Sequence, residues 1–105
     1  MLYLMMDRTN KEYLIKVGFS DRPNHLATRR KAYYSHNPRA IMRSSMAGSR
    51  ATELDCRNKI TALGGARITG TEWFVISEQL FNDLYKNGMG LFYPKHSPIH
   101  FLEEF

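Results

Sequence analysis

The sequence predicts a small α+β domain in which helices lie beside a mainly antiparallel sheet. Three stretches, near residues 2–6, 12–19 and 40–46, have the apolar character or the period-two alternation of strands. Three others begin at a capping residue and carry helical signals. With a further short strand, the predicted order is β-β-α-β-α-β-α, which is typical of an α+β domain. A length of 105 residues and a 43% hydrophobic composition suit a single globular domain.

The first two strands are predicted to form a β-hairpin. Residues 2–6 are apolar on both faces, which indicates a central strand. Residues 7–11 supply a polar turn, and residues 12–19 then alternate between two faces. The second strand ends near Gly18, which has no Cβ, so another backbone, a side chain or a phosphate can come close there.

A basic helix is predicted from about Pro23 to Tyr34. Ser20 or Asp21 can cap it, and a proline suits its first turn. Its three adjacent cations are Arg29, Arg30 and Lys31. A strand with an open glycine edge that leads into such a helix is a common arrangement for handling phosphate, which arginine grips through two hydrogen bonds.

A third strand and a second helix follow the basic helix. Residues 40–46 alternate as a strand with one apolar face. The helix covers residues 51–63, with Ser49 as its cap and two glycines as its stop. Glu53 and Arg57 share one face of this helix at a spacing of four, so the face can hold a carboxylate over the sheet.

The last predicted elements are a short strand and a third helix. Residues 71–77 form the strand, and Ser77 caps the helix, which ends at an Asn-Gly pair. We predict one domain over residues 1–88. Residues 89–105 are an apolar extension that we expect to pack back on the domain or on a partner, including a second copy of the chain.

Positive charge is concentrated in the middle of the chain. The net charge is +5, but residues 22–71 contain ten Lys and Arg against two acids and carry +8. A segment this basic is the electrostatic footprint of a polyanion binder, here DNA, with Tyr33 and Tyr34 interleaved for base stacking. The alternative interpretation is an ordinary solvated surface.

The single cysteine, Cys56, excludes an internal disulfide and a Cys-based zinc site, and its surroundings predict a small packed helix residue. No apolar run reaches the roughly 20 residues of a membrane span, and the first residues do not resemble a signal peptide. We therefore expect no membrane partner and a cytoplasmic location.

Five motifs, taken in order, resemble the GIY-YIG nuclease superfamily. They are Tyr3 in the first strand, Lys16-Val17-Gly18 in the second, Arg29 with Tyr33 four residues on, Glu53 early in a later helix, and Glu72-Trp73-Phe74. The resemblance spans residues 1 to about 78. With the Asn-Pro pair at 37 and 38, the chain is most similar to the phage-associated DNA-binding branch, which would place it in the host cytoplasm if it is phage-encoded.

The resemblance implies a compact three-stranded antiparallel sheet and metal-dependent phosphodiester hydrolysis. By position, Tyr3 matches the first-motif tyrosine, Gly18 the second-motif glycine, Arg29 the helical arginine and Glu53 the metal-binding glutamate. Mg²⁺, or Mn²⁺, takes one carboxylate and keeps positions open for water and phosphate. An arginine stabilises charge at phosphorus, and a tyrosine hydroxyl orients or deprotonates the attacking water.

The chain departs from the family pattern at several positions. Lys16 stands where the second tyrosine is expected, Met1 replaces a glycine, and the spacing from Gly18 to Arg29 is longer than usual. A lysine there still binds phosphate, or acts as a base if burial lowers its pKa. Arg30 is an alternative to the helical arginine, Asp55 to the metal ligand, and Glu53 could simply pair with Arg57.

Three functions follow from these patterns. The first is a Mg²⁺- or Mn²⁺-dependent DNA endonuclease, with Tyr3, Lys16, Arg29 and Tyr33 in catalysis and Glu53 on the metal. The second is a DNA-binding domain without turnover. The third is a phage-type inhibitor or adaptor of a host defence protein that binds through the extension. The expected DNA contacts are Gly18, Arg30, Lys31, Arg39, Arg43 and Arg57.

Overall fold

The computed structural model describes residues 1–8, 11–21, 28, 31–32, 37, 39–95 and 98–105. These residues form an α+β fold around an antiparallel sheet, so the predicted fold class is confirmed. The elements are β1 (Leu2–Arg8), β2 (Tyr13–Phe19), β3 (Ile41–Met46), α1 (Arg50–Ala62), β4 (Ala66–Arg67), β5 (Phe74–Ile76), α2 (Glu78–Asn87), a 3-10 turn (Gly88–Leu91) and β6 (His100–Phe101).

The sheet has the strand order β4-β5-β2-β1-β3-β6, and every pair in it is antiparallel. β1 lies between β2 and β3, as its two apolar faces predicted. In the β1–β2 register Tyr3 is opposite Gly18 and Met5 is opposite Lys16. These two pairs share one face of the sheet because side chains alternate along a strand.

The described sheet has six strands, so the expectation of three was wrong. β5 pairs with β2 over Tyr13–Ile15, β4 pairs with β5, and β6 pairs with β3. β4 and β6 have two residues each. Strands of two residues have no alternation to detect, and they form only because longer neighbours offer a free edge.

Opposite faces of the sheet bury different sets of residues. One face packs against α1 and α2 in the larger core, which includes Leu2, Leu4, Met6, Ile15, Val17, Cys56, Ile60, Phe81 and Leu84. The other face has a smaller cluster of Tyr3, Met5, Ala40 and Met42 with Trp73 packed against it. The predicted basic helix lies largely outside the described residues. Within its range the structure describes Thr28, Lys31 and Ala32, and these three are helical.

Serine caps begin α1 and α2, as predicted. Ser49 Oγ accepts a hydrogen bond from Thr52 N at 3.3 Å, while Ser49 N donates to Thr52 Oγ1 at 3.3 Å, which is a capping box. Ser77 Oγ accepts from Leu80 N at 3.1 Å. Among the described residues, no helix is long and apolar enough to cross a membrane.

The C-terminal segment contacts β3 and α2 through Arg43. The guanidinium donates from Nε to Tyr85 O and from Nη1 to Glu103 O, both at 2.8 Å. It also lies 3.8 Å from the centre of the Tyr85 ring and 4.7 Å from that of Phe101. Phe105 stacks on Tyr85 at a centroid distance of 5.7 Å. The end of the chain is therefore held by one buried cation and by aromatic stacking.

Candidate functional site

The ring of Tyr3 packs on Gly18 in the candidate site. A Cβ built on Gly18 would lie 2.2 Å from Tyr3 Cζ and 2.3 Å from its hydroxyl oxygen. The tyrosine is 1% exposed, so its ring has little room to move aside. The group that comes close to the glycine is thus an aromatic ring from the neighbouring strand.

Lys16 lies on the same face, two residues before Gly18. The residue is 9% exposed, and its Nζ is 3.0 Å from Glu72 Oε2. The hydrogen bond from Lys16 lowers the pKa of Glu72, and Arg57 adds to this effect. Glu72 is therefore ionised at neutral pH and offsets the charge of a largely buried lysine.

Arg57 extends this contact to α1. Its Nη2 donates to Glu53 Oε1 at 2.6 Å, lies 3.5 Å from Glu72 Oε1, and donates to Val17 O at 3.4 Å. In the described part of the chain no strand pairs with β2 on this side beyond Ile15, so the guanidinium reaches an open edge. We call Lys16, Glu53, Arg57 and Glu72 the edge cluster.

The edge cluster connects the two sides of the sheet. Glu53 and Arg57 project from α1, which packs on the larger core, whereas Lys16 shares the opposite face with Tyr3. Glu72 joins them because one of its oxygens contacts the lysine and the other contacts the arginine. Two cations and two carboxylates thus alternate around the edge of β2.

Asp55, the alternative metal ligand, lies elsewhere. It accepts a short hydrogen bond from the Tyr93 hydroxyl and pairs with Lys59 at 3.2 Å. The hydrogen bond from Tyr93 is the main reason that the pKa of Asp55 is lowered, and burial together with this bond raises the pKa of Tyr93. Asp55 is two residues from Glu53 along α1, so the helix turns it by about 200° away from the edge cluster.

The edge cluster contains two carboxylates, a ligand type that Mg²⁺ prefers in proteins. Mg²⁺ commonly takes one or two carboxylates and completes its shell with water and substrate phosphate. Glu53 and Glu72 both contact the same nitrogen of Arg57, so they are neighbours. Within the described residues no group of three or more His, Cys, Asp or Glu side chains is placed to hold a metal. An ion here would take Glu53 from its pairing with Arg57.

The remaining predicted site residues are distributed unevenly. Arg29, Arg30 and Tyr33, predicted for catalysis or DNA contact, lie outside the described residues. Lys31 and Arg39 are exposed. Arg43, predicted to contact DNA, is 9% exposed and holds the C-terminal segment, so the DNA-binding surface proposed below does not use it.

Glu72 is the residue that the sequence reasoning did not assign to the site. In the sequence, Glu72 has significance only as the first residue of the Glu-Trp-Phe motif. The signal available in the sequence was its position directly before Trp73 and the predicted strand; the structure adds that Trp73 packs on the same face of the sheet as Tyr3. Comparisons of the chain with protein-family models, with curated proteins and with solved structures give no match.

Proposed function

We propose that this chain is a GIY-YIG-like DNA-binding protein and a divalent-metal-dependent DNA endonuclease. The observation that carries the proposal is the edge cluster at the open edge of β2, together with the packing of Tyr3 from β1 on Gly18 of the same strand. These residues supply a hydroxyl, two cations and a carboxylate, which are the group types that the hydrolysis of a phosphodiester uses.

Each residue has a distinct role in this proposal. Glu53 holds Mg²⁺ or Mn²⁺, which supplies Lewis-acid stabilisation of the phosphoryl oxygens when bound. Lys16 and Arg57 bind phosphate oxygens and stabilise the charge that develops on them. Tyr3 orients or deprotonates the attacking water. Arg29 stays a predicted third cationic contact to the same phosphate.

A DNA-binding protein without turnover is the second candidate. The observation that favours it is the 2.6 Å contact between Arg57 and Glu53, which occupies the carboxylate proposed for the metal. If this pair persists when DNA is bound, Lys16 and Arg57 still attract phosphate but no ion is held. The two candidates therefore share the DNA-binding step and differ only in the exchange at Glu53.

The test measures cleavage and binding separately. Labelled duplex, single-stranded and branched DNA are incubated with the protein with and without Mg²⁺ or Mn²⁺, and binding is measured in EDTA. We expect Glu53→Gln to reduce cleavage by ~10²–10³-fold while DNA binding stays equal or tightens. Glu104→Gln, an exposed residue with the same charge change, is the control and keeps full activity.

The outcomes separate the candidates. Cleavage by the unmodified protein that Glu53→Gln abolishes supports the nuclease. Binding without cleavage on any DNA form with either metal leaves the second candidate. The absence of DNA binding at low salt overturns both.

A further inference from the structure

We infer that Lys16 and Arg57 form a phosphate subsite that the Glu72 carboxylate fills in the free protein and leaves when DNA binds. The inference rests on the proposed function and specifies how its ligand, a phosphodiester, enters the site. It assigns Glu72 the role of a built-in competitor for the DNA backbone.

The first argument is the way in which one carboxylate spans two cations. Glu72 Oε2 is 3.0 Å from Lys16 Nζ, and Oε1 is 3.5 Å from Arg57 Nη2. A phosphodiester likewise presents two charged oxygens on one central atom, and lysine and arginine are the side chains that bind it. The position of Glu72 therefore marks where such a group fits.

The second argument is the difference in exposure between the cations and the anion. The side chains of Lys16 and Arg57 are 11% and 23% exposed, while that of Glu72 is 48% exposed. Lys16 and Arg57 project from β2 and α1, whereas Glu72 lies in a bend before β5 begins. The carboxylate is thus the part that can leave, and the largely buried lysine then needs another anion, such as a phosphate, in its place.

The third argument is the charge that remains. With Glu72 in place, the edge cluster has two positive and two negative side chains and is formally neutral. Without Glu72, the cluster carries +1 and attracts a phosphate. Because Glu53 still neutralises Arg57 in part, the opened subsite is not so positive that it would be unstable without a ligand.

The first test compares two Glu→Gln variants in a DNA-binding assay. Binding of a fluorescent duplex oligonucleotide is measured by anisotropy in EDTA at fixed salt. We expect Glu72→Gln to bind DNA about threefold to fivefold more tightly than the unmodified protein, the upper part of the range of one surface ion pair. The control Glu104→Gln, which loses the same charge far along the chain, should change the affinity by less than about twofold.

A double variant shows whether the gain acts through the subsite. If Glu72 competes with phosphate for Lys16, then Glu72→Gln should give no more than the control effect in a Lys16→Gln background. Equal or weaker DNA binding by Glu72→Gln relative to Glu104→Gln overturns the inference. A gain that keeps its full size in the Lys16→Gln background also overturns it, because the effect would then be one of general charge.

A second probe separates this inference from the proposed function. Inorganic pyrophosphate is titrated into the unmodified protein and into Glu72→Gln by calorimetry, and we expect tighter binding by the variant. If the unmodified protein binds no DNA, the proposed function fails and this titration alone decides the inference: no gain overturns it. If Glu72→Gln does not fold, Glu72→Asp, whose shorter side chain withdraws the carboxylate, takes its place with the same expected direction.

Discussion

Replacing Gly18 with alanine should cause a large loss of stability that depends on the ring of Tyr3. The new methyl group would lie 2.2 Å from Cζ and 2.6 Å from Cε2 of a side chain that is 1% exposed. Overpacking of this kind costs typically about 1–3 kcal/mol, and a rigid buried ring places this site near 3 kcal/mol. For a domain of this size, that corresponds to a fall in Tm of about 10 °C or more.

A double-mutant cycle assigns the loss to this one contact. Urea unfolding and Tm are measured for Gly18→Ala in the unmodified, Tyr3→Leu and Tyr3→Phe backgrounds. Leucine removes the ring, so alanine at position 18 should then cost less than about 1 kcal/mol. Phenylalanine keeps Cζ and Cε2, so the cost should remain near its full value.

A glycine with a softer neighbour is the matched control. A Cβ on Gly90 would lie 3.1 Å from Ile99 Cγ1, which has to shift by only a few tenths of an ångström, so Gly90→Ala should be tolerated better than Gly18→Ala. The reasoning is refuted if Gly18→Ala costs the same with and without the ring, or if it costs nothing. Either result would mean that Tyr3 does not lie against Gly18.

Two further predictions concern α1. Cys56 is fully buried, and burial raises its pKa to about 12. Iodoacetamide at pH 8, with labelling followed by mass spectrometry, should therefore alkylate it only after unfolding in urea. Rapid labelling of the folded protein would contradict this. The bond from Tyr93 lowers the pKa of Asp55 below its ordinary 3.8, so Asp55 stabilises the fold above that pH and less as the pH falls through its lowered value. The stability gap between the unmodified protein and Asp55→Asn should therefore be constant above about pH 5 and shrink in more acidic solution, and a gap that widens there would show the opposite linkage.

The elements that the sequence predicted well are those whose signals are local. Alternation alone identified β2, and serines alone identified the starts of α1 and α2, because a cap depends on residues three positions apart. β6 could not be found in this way. Its two residues form a strand only because β3 offers a free edge, which is a property of the assembled sheet.

In the candidate site, too, local rules predict some contacts and not others. The proximity of Tyr3 and Gly18 follows from a hairpin register that the turn fixes, and the pairing of Glu53 with Arg57 follows from helical spacing. The contact between Lys16 and Glu72 joins residues 56 positions apart, and no local rule places them together. Arg43 is a residue for which the local pattern misleads. A cation in an alternating strand suggests exposure, but the strand pairing shifts register here and the C-terminal segment covers the side chain.

The side chains that lie across β2 also govern what the sheet can do with other chains. Beyond Ile15, the described part of this edge lacks a neighbouring strand, and such an edge is a template for strand addition by another molecule. Arg57 donates a hydrogen bond to the backbone oxygen of Val17, and the Glu72 carboxylate lies beside the Arg57 guanidinium. An incoming strand would have to displace these charged side chains before it could pair with β2. The outermost strands, β4 and β6, offer only two residues each. The edge cluster therefore also opposes the growth of this sheet from one molecule into the next.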